Sequence, residues 1–424
     1  MSEVESIATK LKSIPGVVRQ FLLIAFLVDS VAIICELVSR FLLHLGWPYN
    51  SPLMNERPAP DLVNAIPPFE HLHTAAFFSE SYRIRFFYPA PMAPLYGIFL
   101  NFPHPVPVFE ATLALLLSLA AFLLCMRLHK KGLSVVNSVL VSGGALILSY
   151  PAWFDLKQGN MELFICILVG IGIWCFLHDR FHAAAVFIGI AGAMKLFPFI
   201  FLGLLLSRRK YRPIITAVAT ATLVTIASLL YITPSLSGSW HGVQANLAYF
   251  QQWIIPGLGL DIGYDHSLFA IIKIFLEHTR SRFNTYEDIR IILHIYMAVI
   301  AVVGTLVYFF RIRYLPIINQ ILVLCVVSIL VTPISHDYTL LHLYIPWAIL
   351  VFFALDRAPH ATPGLRAVFI CFALATSADS ELIYNHYSLG AEFKAIVLVI
   401  LVALALRFPF RMSQEMPVTN QTAF

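Results

Sequence analysis

Apolar runs of roughly 17–24 residues follow one another from end to end of this chain, each long enough to cross the hydrocarbon core of a bilayer. Inside that core every backbone N–H and C=O needs a partner, so helices and closed barrels are the two solutions. A barrel would alternate apolar and polar residues over short strands, and that pattern is absent. Charge agrees: 12% of the 424 residues are Asp, Glu, Lys or Arg, about half the usual soluble share, and 59% are hydrophobic. The expected class is an all-α, polytopic integral membrane protein, one transmembrane unit over residues 1–424.

Several alternatives fall away. The net charge of +5 is spread between the apolar runs, which gives no nucleic-acid footprint. Cys35, Cys125, Cys166, Cys175, Cys325 and Cys371 all lie in apolar runs without CxxC spacing, so they read as packing residues. Lys10, Lys12 and Arg19 precede a run that holds Asp29 and Glu36 and lacks a small-residue cleavage site, so this run reads as a retained first span.

Short loops rich in Lys and Arg stay cytoplasmic. Most of the 28 Lys and Arg fall in the N-terminus and in the loops at 127–131, 178–180, 208–212, 311–313, 356–366 and 407–411. An even number of crossings must therefore separate each of these loops from the next. Between Arg180 and Arg208 there is one apolar block, with Lys195 at its middle and Pro198 three residues later. Parity requires two short half-helices meeting at 195–198, which turns Lys195 toward the outer side. A lone cation at that depth needs protein, water or an anion to face. Pro suits the first turn of the second half-helix, whose free N–H groups would sit beside the ammonium. The alternative is one continuous helix with Lys195 snorkelling. With the broken pair, spans near 18–40, 106–126, 134–150, 161–177, 213–233, 289–310, 315–333, 338–355, 364–378 and 392–406 bring the total to about twelve crossings. The apolar piece at 267–277 is too short to cross and reads as re-entrant or surface-lying. Arg280, Arg282 and Arg290 fall on the outer side, against the charge rule.

This topology collects the remaining polar residues on the outer face. The first outer loop, 46–105, carries Asp61, Glu70, His71 and Tyr88; a short loop carries Gln158, Asn160 and Glu162. The second large outer loop, 234–288, carries Asp265 and His266, and a later turn carries His336 and Asp337. A short polar tail, 412–424, is expected on the cytoplasmic side. Carboxylates and amides bind sugar hydroxyls, aromatic rings stack on sugar C–H faces, and a phosphate needs a cation with free N–H groups. Asp265 and His266 lack further ligands at useful spacing, so no metal is expected.

Asp61 some 27 residues before Tyr88-Pro89, then Gln158-Gly159-Asn160-Met161-Glu162, then Lys195-Leu196-Phe197-Pro198 ahead of Arg208-Arg209, resemble glycosyltransferase family 87. The resemblance runs over about residues 18–350; a departure is Leu62, where relatives often carry an aromatic. It implies a GT-C-like fold in the bacterial inner membrane, with the active site on the extracytoplasmic side. It further implies transfer of a hexose, mannose by family weight, from a polyprenyl-phosphate donor to a glycan or glycolipid acceptor. An acid of the first outer loop serves as base, which assigns Asp61, with Glu70 as its competitor. Lys195 and His336 would then hold the donor phosphate, and Gln158, Asn160 and Glu162 the donor sugar. Glu70, His71, Tyr88, Asp265, His266 and Asp337 would line the site. No cofactor is implied beyond the lipid donor itself, which enters from the surrounding membrane. A lipid-linked sugar flippase is the competing reading, although such carriers spread polar residues through the membrane and repeat between halves.

Overall fold

The computed structural model describes residues 13–44, 59–79, 85–257, 265–278, 285–356, 363–378, 383–384 and 387–411. The expected tail at 412–424, residues 46–58 of the first outer loop, Arg280 and Arg282 lie outside these.

The described residues are mostly helical. In order, α1 is Gly16–Leu37, α2 Pro60–Phe69, α3 Met92–Leu100, α4 Pro105–Lys130, α5 Val135–Ile147, α6 Tyr150–Gln158, α7 Glu162–Leu177 and α8 Phe181–Met194. Next come a 3₁₀ turn, Phe197–Phe201, then α9 Leu202–Ser207, α10 Tyr211–Ile232, α11 Leu236–Tyr249, α12 Leu268–His278 and α13 Tyr286–Phe310. The last are α14 Ile317–Leu330, a 3₁₀ stretch Asp337–Leu343 running into α15 Tyr344–Asp356, α16 Pro363–Thr376 and α17 Leu389–Arg407. A two-residue ribbon pairs Ile383–Tyr384 with Tyr387–Ser388.

Among the described residues, five helical segments are long and apolar enough to cross a membrane: α1, α4, α10, α13 with its short extension, and Asp337–Asp356. The pair α5 and α6, bent by 47°, makes a sixth; α7, α8, α14, α16 and Phe197–Ser207 are shorter apolar helices. Helix length alone therefore does not establish about twelve crossings. The span expected near 134–150 ends at Ile147, and a second helix, α6, stands where a loop was expected. Ser149 accepts a hydrogen bond from the Ala152 N–H at 3.3 Å, and Pro151 fits the first turn that follows.

The described basic loops from Arg127 onward share one end. Lys131 pairs with Asp356 at 3.1 Å, Lys210 sits 4.6 Å over the Phe181 ring, and Arg311 donates to the Leu406 carbonyl at 3.0 Å. Tyr308 donates to the Gly203 carbonyl at 2.7 Å, and Phe353 lies 5.9 Å from Phe410, which joins these pairs into one surface. Loops 178–180 and 208–212 therefore lie side by side, as parity required. The chain reverses at Lys195, which is extended (φ −142°, ψ 142°) after α8. Phe199 folds back so closely that a Cβ on Gly192 would stand 2.7 Å from its ring. The return limb differs from the expected half-helix: it begins as 3₁₀ turn and continues only six residues as α-helix. Aligned dipoles over so short a piece give little terminal charge, so the cation of this turn is Lys195 itself.

A buried amide ties two helices of this core together. Asn319 donates to the Ala405 and Phe408 carbonyls at 2.6 and 2.7 Å and accepts the Phe410 N–H at 2.7 Å, which ties α14 to the end of α17. Lipid-facing helices show the opposite pattern: α4, α10 and α13 expose Leu, Ile, Val and Phe along their lengths.

Candidate active site

Away from the basic end, α2, the start of α7, the Lys195 turn and the 3₁₀ stretch at 337–343 meet. Ala59 sets the geometry. Its N–H donates to the Lys157 carbonyl at 2.9 Å, and its left-handed backbone (φ 49°) launches α2 with Pro60 and Asp61 in the first turn. The chain between α6 and α7 turns at Gly159 (φ 69°), where an added Cβ would lie 2.6 Å from the Ala59 Cβ. This close approach brings Asp61 to Asn160.

Asn160 is the hub. Its Nδ2 donates to Asp61 Oδ2 at 2.7 Å and lies 3.3 Å from the Tyr88 hydroxyl, which itself reaches Asp61 Oδ2 at 3.5 Å. On its other side the Lys195 ammonium donates to Asn160 Oδ1 at 3.4 Å. Lys195 also makes a close ion pair with Glu162, and its Nζ stands 5.0 Å over the Tyr338 ring. Glu162 Oε1 meets His342 Nε2 at 2.7 Å, and the Phe197 ring packs edge-on against His342 at 4.9 Å.

Five carboxylates surround this junction, and burial separates them. Asp155, Glu162, Asp265 and Asp337 are at most 2% exposed, whereas Asp61 keeps access to solvent. Asp155 accepts the Leu163 N–H at 3.2 Å, so it caps α7. Glu162 is fully buried, with one oxygen on Lys195 and the other on His342. Burial pushes the Asp61 carboxyl above its ordinary pKa; the Asn160 hydrogen bond and the charges of His336 and Lys195 pull part of that back. Burial, with the Asp61 charge next, raises the Tyr88 phenol well above its usual value, so it remains a donor. Tyr88 packs against Tyr96 at 5.4 Å and Phe86 at 5.5 Å, which fixes the ring.

The other residues singled out from the sequence fall in three places. Gln158 is half-buried at the end of α6, two residues before Asn160. Asp265, His266 and Asp337 are buried in a web around the half-buried His336. Asp265 Oδ1 accepts the N–H groups of Ser267 and Ser335 at 2.9 and 2.8 Å, and His266 Nε2 meets Ser335 Oγ at 3.0 Å. Burial lowers the His266 pKa despite the neighbouring Asp337, so its imidazole is neutral. Glu70 and His71 are exposed at the far end of α2, nine residues and about 13 Å along the axis from Asp61. They stand apart from the junction. Tyr338, His342 and Lys394 also belong to this region, and no periodicity or spacing singles out His342 or Lys394. Among the described residues no three His, Cys, Asp or Glu side chains converge as metal ligands.

The family model of glycosyltransferase family 87 matches residues 86–333, more than half of the chain. The chain belongs to glycosyltransferase family 87, and it is a membrane glycosyltransferase. No curated protein and no solved structure matches it significantly. Tyr88, Asn160, Glu162 and Lys195 lie within the matched region, Asp61 before it, and His336, His342 and Lys394 after it.

The turn at Gly159 is directly testable. Gly159→Ala adds a left-handed strain of about 1–2 kcal/mol and an overpacking strain of about 1–3 kcal/mol against Ala59. The expected result is a lower unfolding temperature together with reduced turnover, because Ala59 carries Asp61. An Ala variant with wild-type stability and rate would show that the two segments do not meet.

Proposed function

We propose that this transferase moves a hexose, mannose by family weight, from a polyprenyl phosphate to a glycan or glycolipid acceptor on the extracytoplasmic face of a bacterial plasma membrane. The observation that carries the reading is one amide, Asn160, bonded at once to a partly open carboxylate and to an ammonium. Asp61 takes the acceptor proton as the hydroxyl attacks the anomeric carbon. Lys195 stabilises the charge that builds on the departing phosphate oxygen, and His336 is the second donor assigned to it. Attack from the side opposite the leaving group inverts configuration. Asp61 is the accessible acid and Glu162 is fully buried, which supports a single displacement over a covalent sugar intermediate. A lipid phosphate also needs apolar surface beside the cation, and Leu196, adjacent to Lys195, is 76% exposed. The outward orientation is supported by the basic loops, which cluster at the opposite end.

The test is a donor screen with purified protein in lipid nanodiscs, following the release of polyprenyl phosphate from polyprenyl-phosphate sugars. Acceptor-dependent release with one sugar is expected. Movement of intact donor across the bilayer without any release would overturn the proposal in favour of a carrier.

A further inference from the structure

We propose that the buried Lys394–Asp337 ion pair is a positioning device for the transfer site, fixing His336 and Tyr338 opposite Asp61 and Lys195 from a helix beyond the family-matched region. This inference rests on the transferase reading. Lys394, on α17, is 1% exposed, and its Nζ meets Asp337 Oδ1 at 2.9 Å and lies 4.5 Å from the centroid of the Tyr150 ring. Withdrawing two charges from water is rarely a net gain in stability, and apolar pairs of similar volume often serve as well. Such a pair does define register, since each partner left alone would be a buried charge.

The segment it grips is held at alternate residues. Ser335 is held through its N–H by Asp265 and through its hydroxyl by His266. Asp337 is held by Lys394, with His266 Nδ1 at 3.7 Å. Thr339 meets the Ser335 hydroxyl at 2.9 Å and lies 3.3 Å from His266 Nε2. The residues between these anchors, His336 and Tyr338, are the half-exposed ones. His336 acts electrostatically on Asp61, and Tyr338 underlies the Lys195 ammonium. Phe154 stacks on Tyr338 at 6.0 Å and so backs the ring from α6. Gripping 335, 337 and 339 thus aims 336 and 338, and α17 supplies the charge that holds the middle anchor.

The experiment compares wild type, Lys394→Arg and the double variant Lys394→Met/Asp337→Leu in nanodiscs, with polyprenyl-phosphate mannose as donor and a membrane glycolipid extract as acceptor. A fluorotyrosine label at position 338 gives a readout independent of turnover. The double variant removes both charges, so it should unfold near the wild-type temperature. Its kcat should fall about tenfold or more while the donor KM stays within about twofold, and the fluorine resonance should broaden or split. Lys394→Arg, which keeps the pair, should retain most of kcat and a single resonance. A double variant with wild-type kcat, or with an unshifted single resonance, overturns the proposal. If wild type turns over no polyprenyl-phosphate sugar, the transferase reading fails separately, and the resonance still decides whether the pair holds the segment.

Discussion

Asp61→Asn is expected to lower kcat by about a thousand-fold while donor binding stays intact and thermal stability does not fall. General-base catalysis contributes about 10²–10⁴ in rate, and Asp61 is the accessible carboxylate at the junction of α2, α7 and the Lys195 turn. The stability half of the expectation follows from linkage. Burial raises the Asp61 pKa in the folded protein, so the folded state holds that proton more tightly than the unfolded chain does. The stabilisation belongs to the protonated form, is complete below the unfolded pKa and is lost as pH rises through the folded value. At neutral pH the ionised group therefore works against folding, and an uncharged Asn relieves that. The same shift sets the pH profile: turnover needs the ionised base, so the acid limb of kcat/KM should lie above the ordinary carboxylate range. Measuring kcat, donor affinity and unfolding temperature on one preparation tests all of this. Full turnover in Asp61→Asn, or an acid limb near pH 4, would remove Asp61 from the base role.

The helices were readable in the sequence because a bilayer forces apolar runs of one length, and the reversal at Lys195 because basic loops must share a side. Pro198 and the lone cation marked the place. The form of the return limb was not readable, since nothing in Phe197–Phe201 distinguishes a 3₁₀ turn from the first turn of an α-helix. The break after Ile147 did carry a signal, Ser149 followed by Pro151, but continuous apolarity on both sides masks it. Side-chain depth accounts for the rest. Glu162 reads from the sequence as a hydroxyl binder next to Asn160, yet it opens α7 with both oxygens turned to Lys195 and His342. His342 and Lys394 are 180 and 57 residues from the carboxylates they meet, and no local pattern encodes pairings at that range. Glu70 and Asp61 looked interchangeable as loop acids; a helix of ten residues puts them at its opposite ends.

Lys195→Met should lower kcat about a hundred-fold or more and also weaken folding, and a second substitution separates the two effects. Removing one donor from a site that stabilises developing negative charge costs about 10²–10³ in rate, and an ammonium facing a departing phosphate sits at the upper end. The structural loss has another source. Glu162 is fully buried, and without Lys195 its charge keeps His342 as the side-chain partner. Breaking a buried pair from one side costs about 3–5 kcal/mol, whereas removing both charges is often neutral. Lys195→Met/Glu162→Gln should therefore recover most of the unfolding temperature lost in Lys195→Met, because the Gln amide needs no counter-charge beside His342. It should not recover kcat, since the phosphate still meets no cation at the reversal of the chain. Lys195→Arg should give an intermediate rate: the charge survives, but a planar guanidinium cannot reproduce the ammonium's contacts to Asn160, Glu162 and the Tyr338 face at once. A double variant that regains both stability and turnover would mean that Lys195 serves only to neutralise Glu162, and the phosphate contact would have to be sought at His336.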